Sequence, residues 1–338
     1  MDQPPLGDVR QVSVTVFGHT KDGTPVKAVT ISAGGVTATV MEWGATLLDL
    51  RLAGVNHSLT AGFEDFATYE THGQHVGAIA GRFAGRIAGG FEIAGNYYPT
   101  TRNNGPATLH GGGAGFGVSL WTLDTYGDDF VDMTIRQPDG AGGFPGEIEA
   151  HCRYDAADGE LRLRLTATAD RPTVCNLAQH SYFNLSGAAT IDDHVLQLEA
   201  DRYTPLNGDL LPTGDVLPCD PSRDYRAPRR IGAASLDGHF VLADTRRDLP
   251  ARAAVLRGGD VEMAVETTEP GLVVYTADKF PVTSGGLASG PYGPRAGICL
   301  EGQGWPDAPN QPGFPTADLM PGDTYFQETK YQLKKVSG

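Results

Sequence analysis

The sequence predicts an all-β fold, a large antiparallel β-sandwich, on three observations. Apolar and polar residues alternate at period two, Gly and Pro are dispersed along the chain as turn punctuation, and helical patterning is confined to short patches. In order, Val12, Val14 and Val16 form a first strand, closed by the turn signal Asp22-Gly23. Val36, Ala38 and Val40 form another. The stretch from Phe63 to Tyr69 is the most persuasive helical patch. Leu161, Leu163, Leu165, Ala167 and Ala169 alternate with Arg162, Arg164, Thr166 and Thr168, so this strand has one buried and one solvated face. Asp158-Gly159 precedes it, and Asn207-Gly208 marks a later turn. Many strands of this kind are expected to pack as two antiparallel sheets.

The chain has 338 residues, enough for a large core. Its 45 Gly and 23 Pro are dispersed and collect into no linker, so residues 11–338 are expected to form a single domain behind a frayed tail, residues 1–10. The formal charge is −15, from 26 basic and 41 acidic residues. Such a chain repels phosphate backbones and anionic lipid, which excludes nucleic-acid and polybasic membrane binding and favours a neutral small molecule. Cys152, Cys175, Cys219 and Cys299 lie far apart without a C-x-x-C pair, the pattern of reduced thiols. The N-terminus shows no basic and apolar leader, and no apolar run approaches the ~18 residues of a membrane span. A cytoplasmic protein, monomer or homodimer, is expected.

Three polar islands stand in apolar or Gly-rich surroundings. They are Gln179-His180-Ser181-Tyr182-Phe183-Asn184-Leu185, Leu109-His110-Gly111-Gly112, and Cys299-Leu300-Glu301-Gly302-Gln303 running on to Trp305-Pro306-Asp307. Alternation places His180, Tyr182 and Asn184 on one face, and Cys299 with Glu301 opposite Ile298 and Leu300. A lone histidine in an apolar run is more often a core residue satisfied by backbone carbonyls, and a glutamate at a strand end is more often solvated or paired with Arg. Two histidines and a carboxylate in such settings nonetheless suit proton transfer near neutral pH. Apolar neighbours would raise the pKa of Glu301 and make it a stronger base. The glycines after His110 suggest a close backbone approach to a ligand. The remaining histidines are scattered and no zinc spacing emerges, so no metal or cofactor is expected.

These islands resemble signature blocks of the aldose 1-epimerases, or galactose mutarotases. Further blocks fall in the same chain order: Trp43-Gly44-Ala45, Gly81 to Ile87, Gly143 to Glu147, Leu211 to Gly214, Leu236-Asp237 and Pro270 to Tyr275. The resemblance implies the large mutarotase-type β-sandwich (supersandwich) and an isomerase that interconverts the α and β anomers of an aldohexose such as glucose or galactose. It implies Glu301 as the base that takes the C1 hydroxyl proton and His180 as the acid that protonates the ring oxygen. His110 would bind the sugar and share the acid role, while Arg86 and Asp237 would hold sugar hydroxyls. Arg82 reads as structural.

The chain departs from the family pattern at four positions. Gly85 stands where an asparagine is usual, Gly238-His239 follows Asp237 in place of His-Asn, Val273 replaces a glutamine, and Gln179 replaces an asparagine before His180. Proton-transfer residues are thus retained while contact positions differ, which leaves the preferred sugar open. Two other readings accommodate this: a related enzyme acting on a different sugar or a non-sugar lactol, and a carbohydrate-binding protein without catalysis. Since reference pKa values of about 4.3 for Glu and 6.5 for His leave a narrow working range, His180 is expected to be raised beside Glu301.

Overall fold

A computed structural model describes residues 13–71, 75–280, 286–287 and 291–336, so the tail expected over residues 1–10, and Val12, lie outside the described residues. The architecture is almost entirely β. A nine-stranded antiparallel sheet carries the chain's strongest alternation, in Phe130–Gln137, Ile148–Ala157, Glu160–Ala169 and Tyr325–Lys335 side by side. Leu161, Leu163 and Leu165 are fully buried in it, as the period-two pattern predicts. The turn at Asp158-Gly159 joins Ala157 to its partner Glu160, with Gly159 at φ +64°.

Two smaller sheets share this core. One is a meander of Ser13–His19, Pro25–Ala33, Val36–Met41 and Thr46–Leu52. The other has six strands, of which Asp237–Val241, Gly271–Tyr275, Ile298–Gln303 and the short Tyr182–Phe183 matter most below. Val29 and Ile31 of the meander, Leu163 and Val131 of the large sheet, and Leu272, Val274, Ile298 and Leu300 of the six-stranded sheet join one apolar cluster. That shared layer is the sandwich.

The helix spans Phe66–Thr71, three residues later than the patch expected from sequence. Asp65 explains the shift, because its Oδ1 accepts the Thr68 backbone N–H at 2.8 Å and so starts the helix after itself. Phe63, before it, is drawn into an isolated bridge with Gly286. No helix among the described residues is long and apolar enough to cross a membrane.

Candidate active site

Antiparallel register across the six-stranded sheet assembles the floor of the site. His239 pairs with Val273, and Val273 with Glu301. One step along, Asp237 pairs with Tyr275, Tyr275 with Cys299, and Cys299 with Tyr182. Alternation turns these two rows to one face, while Phe240, Leu272, Val274, Ile298 and Leu300 fill the core on the other. Cys299 and Glu301 therefore share a face opposite Ile298 and Leu300, as expected.

The walls come from short segments. Arg86 and Leu109 are register partners in a two-stranded ribbon, which carries Arg86 and His110 together over the floor. Asp307 braces this ribbon: its N–H donates to the Arg86 carbonyl (2.9 Å) and its Oδ1 accepts the Ala88 N–H (3.0 Å). The apolar run around His180 is not one strand. Ala178–Gln179 pairs with Ile79–Ala80, Tyr182–Phe183 pairs with Ile298–Cys299, and His180 sits at the break between them. Its N–H donates to the Ala78 carbonyl and its carbonyl accepts the Gly77 N–H, each at 2.9 Å. Tyr182 nevertheless lies on the same side as His180, its ring stacked at 5.2 Å between centroids.

All five expected site residues line one cavity of about 330 Å³, within the range of small-molecule pockets. His180 Nε2 and Glu301 Oε1 stand 3.8 Å apart, and the two residues are 7 % and 2 % exposed. His110 packs edge-on against His180, with centroids 5.2 Å apart. Arg86 gives its Nε–H to Asn104 Oδ1 at 3.0 Å, which fixes the guanidinium plane at the cavity wall. Asp237 stands exposed at the mouth.

Burial sets the proton order, and one expectation is overturned. Desolvation, reinforced by the nearby Asp237 charge and only partly offset by Arg86, pushes the Glu301 carboxyl up to about 8. The rise is as predicted. His180, expected to rise beside Glu301, is instead pushed down to about 3, because burial penalises its cation and His75 adds to the effect. This order favours the proton on Glu301 and a neutral His180 near neutral pH.

The two histidines differ in what their Nδ1 atoms meet. The Gly85 backbone N–H donates to His110 Nδ1 at 3.3 Å, so Nδ1 must stay unprotonated and Nε2 must carry the hydrogen. This contact opposes the shared acid role expected for His110, and burial also holds its pKa well below the ordinary histidine value. His180 Nδ1 instead meets the Cys299 thiol at 3.4 Å. His110 has φ +53° and Gly111 φ +82°; a Cβ on Gly111 would lie 2.2 Å from the Gly81 carbonyl oxygen. The glycine thus admits neighbouring backbone, where a ligand was expected.

Three of the divergent positions, Gly85, Gly238 and Val273, line the cavity with little side chain. Gly85 has φ +79°, and a Cβ there would lie 3.4 Å from Gln303 Nε2 and from Pro306 Cβ. Val273 sits between His239 and Glu301 on the floor. A Cβ on Gly238 would meet nothing within 4 Å. Gln179 is different: its amide binds the Gly77 carbonyl (3.1 Å) and the Ser181 N–H (3.0 Å) in the interior, so it is a framework residue. Arg82 is also framework, donating to the carbonyls of Pro145 and Gly146.

Sequence reasoning missed His75, Asn104, Tyr275, Lys279 and Gln303 as cavity residues. His75 stacks on His110 at 4.8 Å, yet its neighbours in sequence carry no recognisable spacing. Among the described residues, His180, Cys299 and Glu301 bring three metal-capable donor atoms within 4.8 Å of one another. They include both residues expected from the sequence to carry protons, so a cation seated there would occupy both of them.

Comparison with known proteins converges on one family. The family model described as Aldose 1-epimerase matches residues 27–332. The chain is 35 % identical to human galactose mutarotase over 338 residues, covering 95 % of this chain and 98 % of that one. It is 31 % identical to the aldose 1-epimerase of Escherichia coli K12, covering 92 % and 96 %. A GalM/aldose epimerase homologue from C. elegans superposes with a TM-score of 0.85 at 28 % identity, covering 92 % of this chain and 99 % of that one. Galactose 1-epimerase from Lactobacillus acidophilus NCFM gives 0.83 at 25 %, covering 97 % and 100 %.

Proposed function

The chain belongs to the aldose 1-epimerase family, isomerases acting on carbohydrates, and from that premise we propose that it interconverts the α and β anomers of an aldohexose through Glu301 and His180. The observation that carries this reading is the buried pair itself, 3.8 Å apart in a cavity that also presents Arg86, His110 and Asp237. Ring opening starts from carboxylate and imidazolium. Glu301 takes the C1 hydroxyl proton, His180 gives a proton to the ring oxygen, and the bond from C1 to that oxygen breaks. The pair is then carboxylic acid and neutral imidazole, with the open-chain aldehyde bound. After rotation about C1–C2, the C5 hydroxyl oxygen adds to either face of C1, as Glu301 returns its proton to the carbonyl oxygen and His180 recovers one from that hydroxyl.

The pair carries one proton in total in both arrangements. Burial favours the neutral arrangement, which is the one that drives ring closure. Arg86 and hydrogen bonds from sugar hydroxyls favour the carboxylate, which is the one needed for opening. His110, with its hydrogen on Nε2, is suited to donate to a sugar oxygen, and Arg86 and Asp237 to hold hydroxyls. The reading of residues 11–338 as one unit is supported by the apolar cluster common to the three larger sheets.

Polarimetry of freshly dissolved α-glucose, α-galactose and a panel of other aldoses tests the proposal. Wild type should accelerate equilibration, and Glu301→Gln should lower kcat by at least ~100-fold while staying folded. A variant with more than about a tenth of wild-type turnover would remove Glu301 as the base. Sugar binding without faster equilibration would favour the non-catalytic reading.

A further inference from the structure

We propose that Cys299 is the positioning residue for His180, its thiol sulfur accepting the Nδ1 hydrogen of both the neutral imidazole and the cation, so that Nε2 alone gains and loses the proton. The proposal rests on the reading of His180 as the proton carrier that alternates between those two forms. Three observations support it. The thiol sulfur lies 3.4 Å from Nδ1, and Cys299 is completely buried, so water cannot take its place. Tyr182 stacks on the ring and both backbone groups of His180 are bonded, which holds the residue in place beside the thiol. His110 supplies the contrast within the same cavity: a backbone N–H, which can only donate, faces its Nδ1 and holds that ring neutral.

The chemistry of the partner is what matters. A carboxylate facing Nδ1 would also accept, but its charge would favour the cation. A backbone N–H would hold His180 neutral with its hydrogen on Nε2. A thiol is a weak, uncharged acceptor, so it keeps a hydrogen on Nδ1 while neither form of His180 is strongly preferred. Burial keeps the proton on sulfur, well above the ordinary thiol range, so the partner adds no charge of its own. With Nδ1–H given to sulfur, Nε2 of neutral His180 is bare, and it is the atom that faces Glu301.

The test combines 15N NMR of histidine-labelled enzyme with kinetics of Cys299→Ser, Cys299→Ala and His180→Asn. Wild type without sugar, near neutral pH, should show His180 with hydrogen on Nδ1 and a bare Nε2. Cys299→Ser keeps an acceptor oxygen and should hold kcat within about threefold, while Cys299→Ala should lower kcat roughly tenfold at near-constant KM. In the alanine variant the His180 nitrogen signals should shift towards a tautomer mixture. A wild-type signal with hydrogen on Nε2 overturns the proposal, and so does an alanine variant with unchanged kcat and unchanged His180 signals. If the alanine variant fails to fold, the wild-type tautomer decides alone. The failure of the underlying reading looks different, since His180→Asn would then retain turnover whatever the tautomer.

Discussion

At the scale of single residues, the order in which Glu301 and His180 hold protons controls the pH response. In the proposed mechanism the singly protonated pair is active in both directions. Below about 3, His180 gains a second proton and no base remains; above about 8, Glu301 loses the shared proton and no acid remains. The kcat/KM profile should therefore be a bell with a broad plateau, its acid limb near 3 and its alkaline limb near 8. A narrow bell confined between about 4.3 and 6.5, the reference values, would show that the buried site does not shift them. The identities of these two residues were legible in the sequence, because a histidine and a glutamate in apolar runs demand a reason. Their proton order was not. It depends on how completely the fold removes water from each group, and on His75, which reaches the site through a turn with no patterned signal.

At the scale of elements, alternation was read correctly in Val36–Met41 and in the long strands of the large sheet. Val16, expected to alternate inward with Val14, is instead exposed on the edge strand Ser13–His19. Ile148–Ala157 and Glu160–Ala169 keep one apolar face over ten residues each, and the two-residue turn fixes their register. Leu163 lies between Tyr154 and Thr329 on neighbouring strands and is fully buried. Leu163→Ala should cost about 2–5 kcal/mol of stability, whereas Arg162→Ala on the solvated face should cost about 1 kcal/mol or less. Equal losses in denaturant unfolding would show that this face is not the packed one. The site was harder to read because its walls are not long strands. Arg86 and His110 meet through a two-residue pairing, and His180 lies where one short strand ends and another begins. Two residues show no period, so Asn104 and His75 gave no signal, and the continuous strand read through His180 proved to be two pieces in different sheets.

At the scale of the whole molecule, buried neutral histidines make the fold sensitive to acid. Desolvation places His180 and His239 at about 3, and His75 and His194 at about 4. Between these values and about 6.5 the unfolded chain binds protons that the folded chain refuses, so their contribution to stability is present above 6.5 and is lost as pH falls. Glu301, pushed up to about 8, acts in the opposite sense, since the folded chain holds its proton and loses that advantage as pH rises. Four histidines outweigh it over this range. Tm should therefore fall on the order of 5 °C or more between pH 6.5 and pH 5. A Tm that is flat or rises across that interval would mean the histidines are hydrated in solution.

The left-handed backbone at Gly85 has a consequence for how such pockets diverge. Few residues other than glycine adopt that conformation readily, and asparagine is the foremost of them. The position is therefore close to a two-letter alphabet, in which one letter leaves the cavity open beside Gln303 and Pro306 and the other fills it with an amide. Gly85→Asn should leave Tm nearly unchanged and alter KM across a sugar panel by roughly three- to tenfold with kcat little affected. Equal KM values in both proteins for every sugar would remove the position from recognition. A turn that tolerates two residues of opposite chemistry lets selection revise what an enzyme accepts without disturbing how it folds.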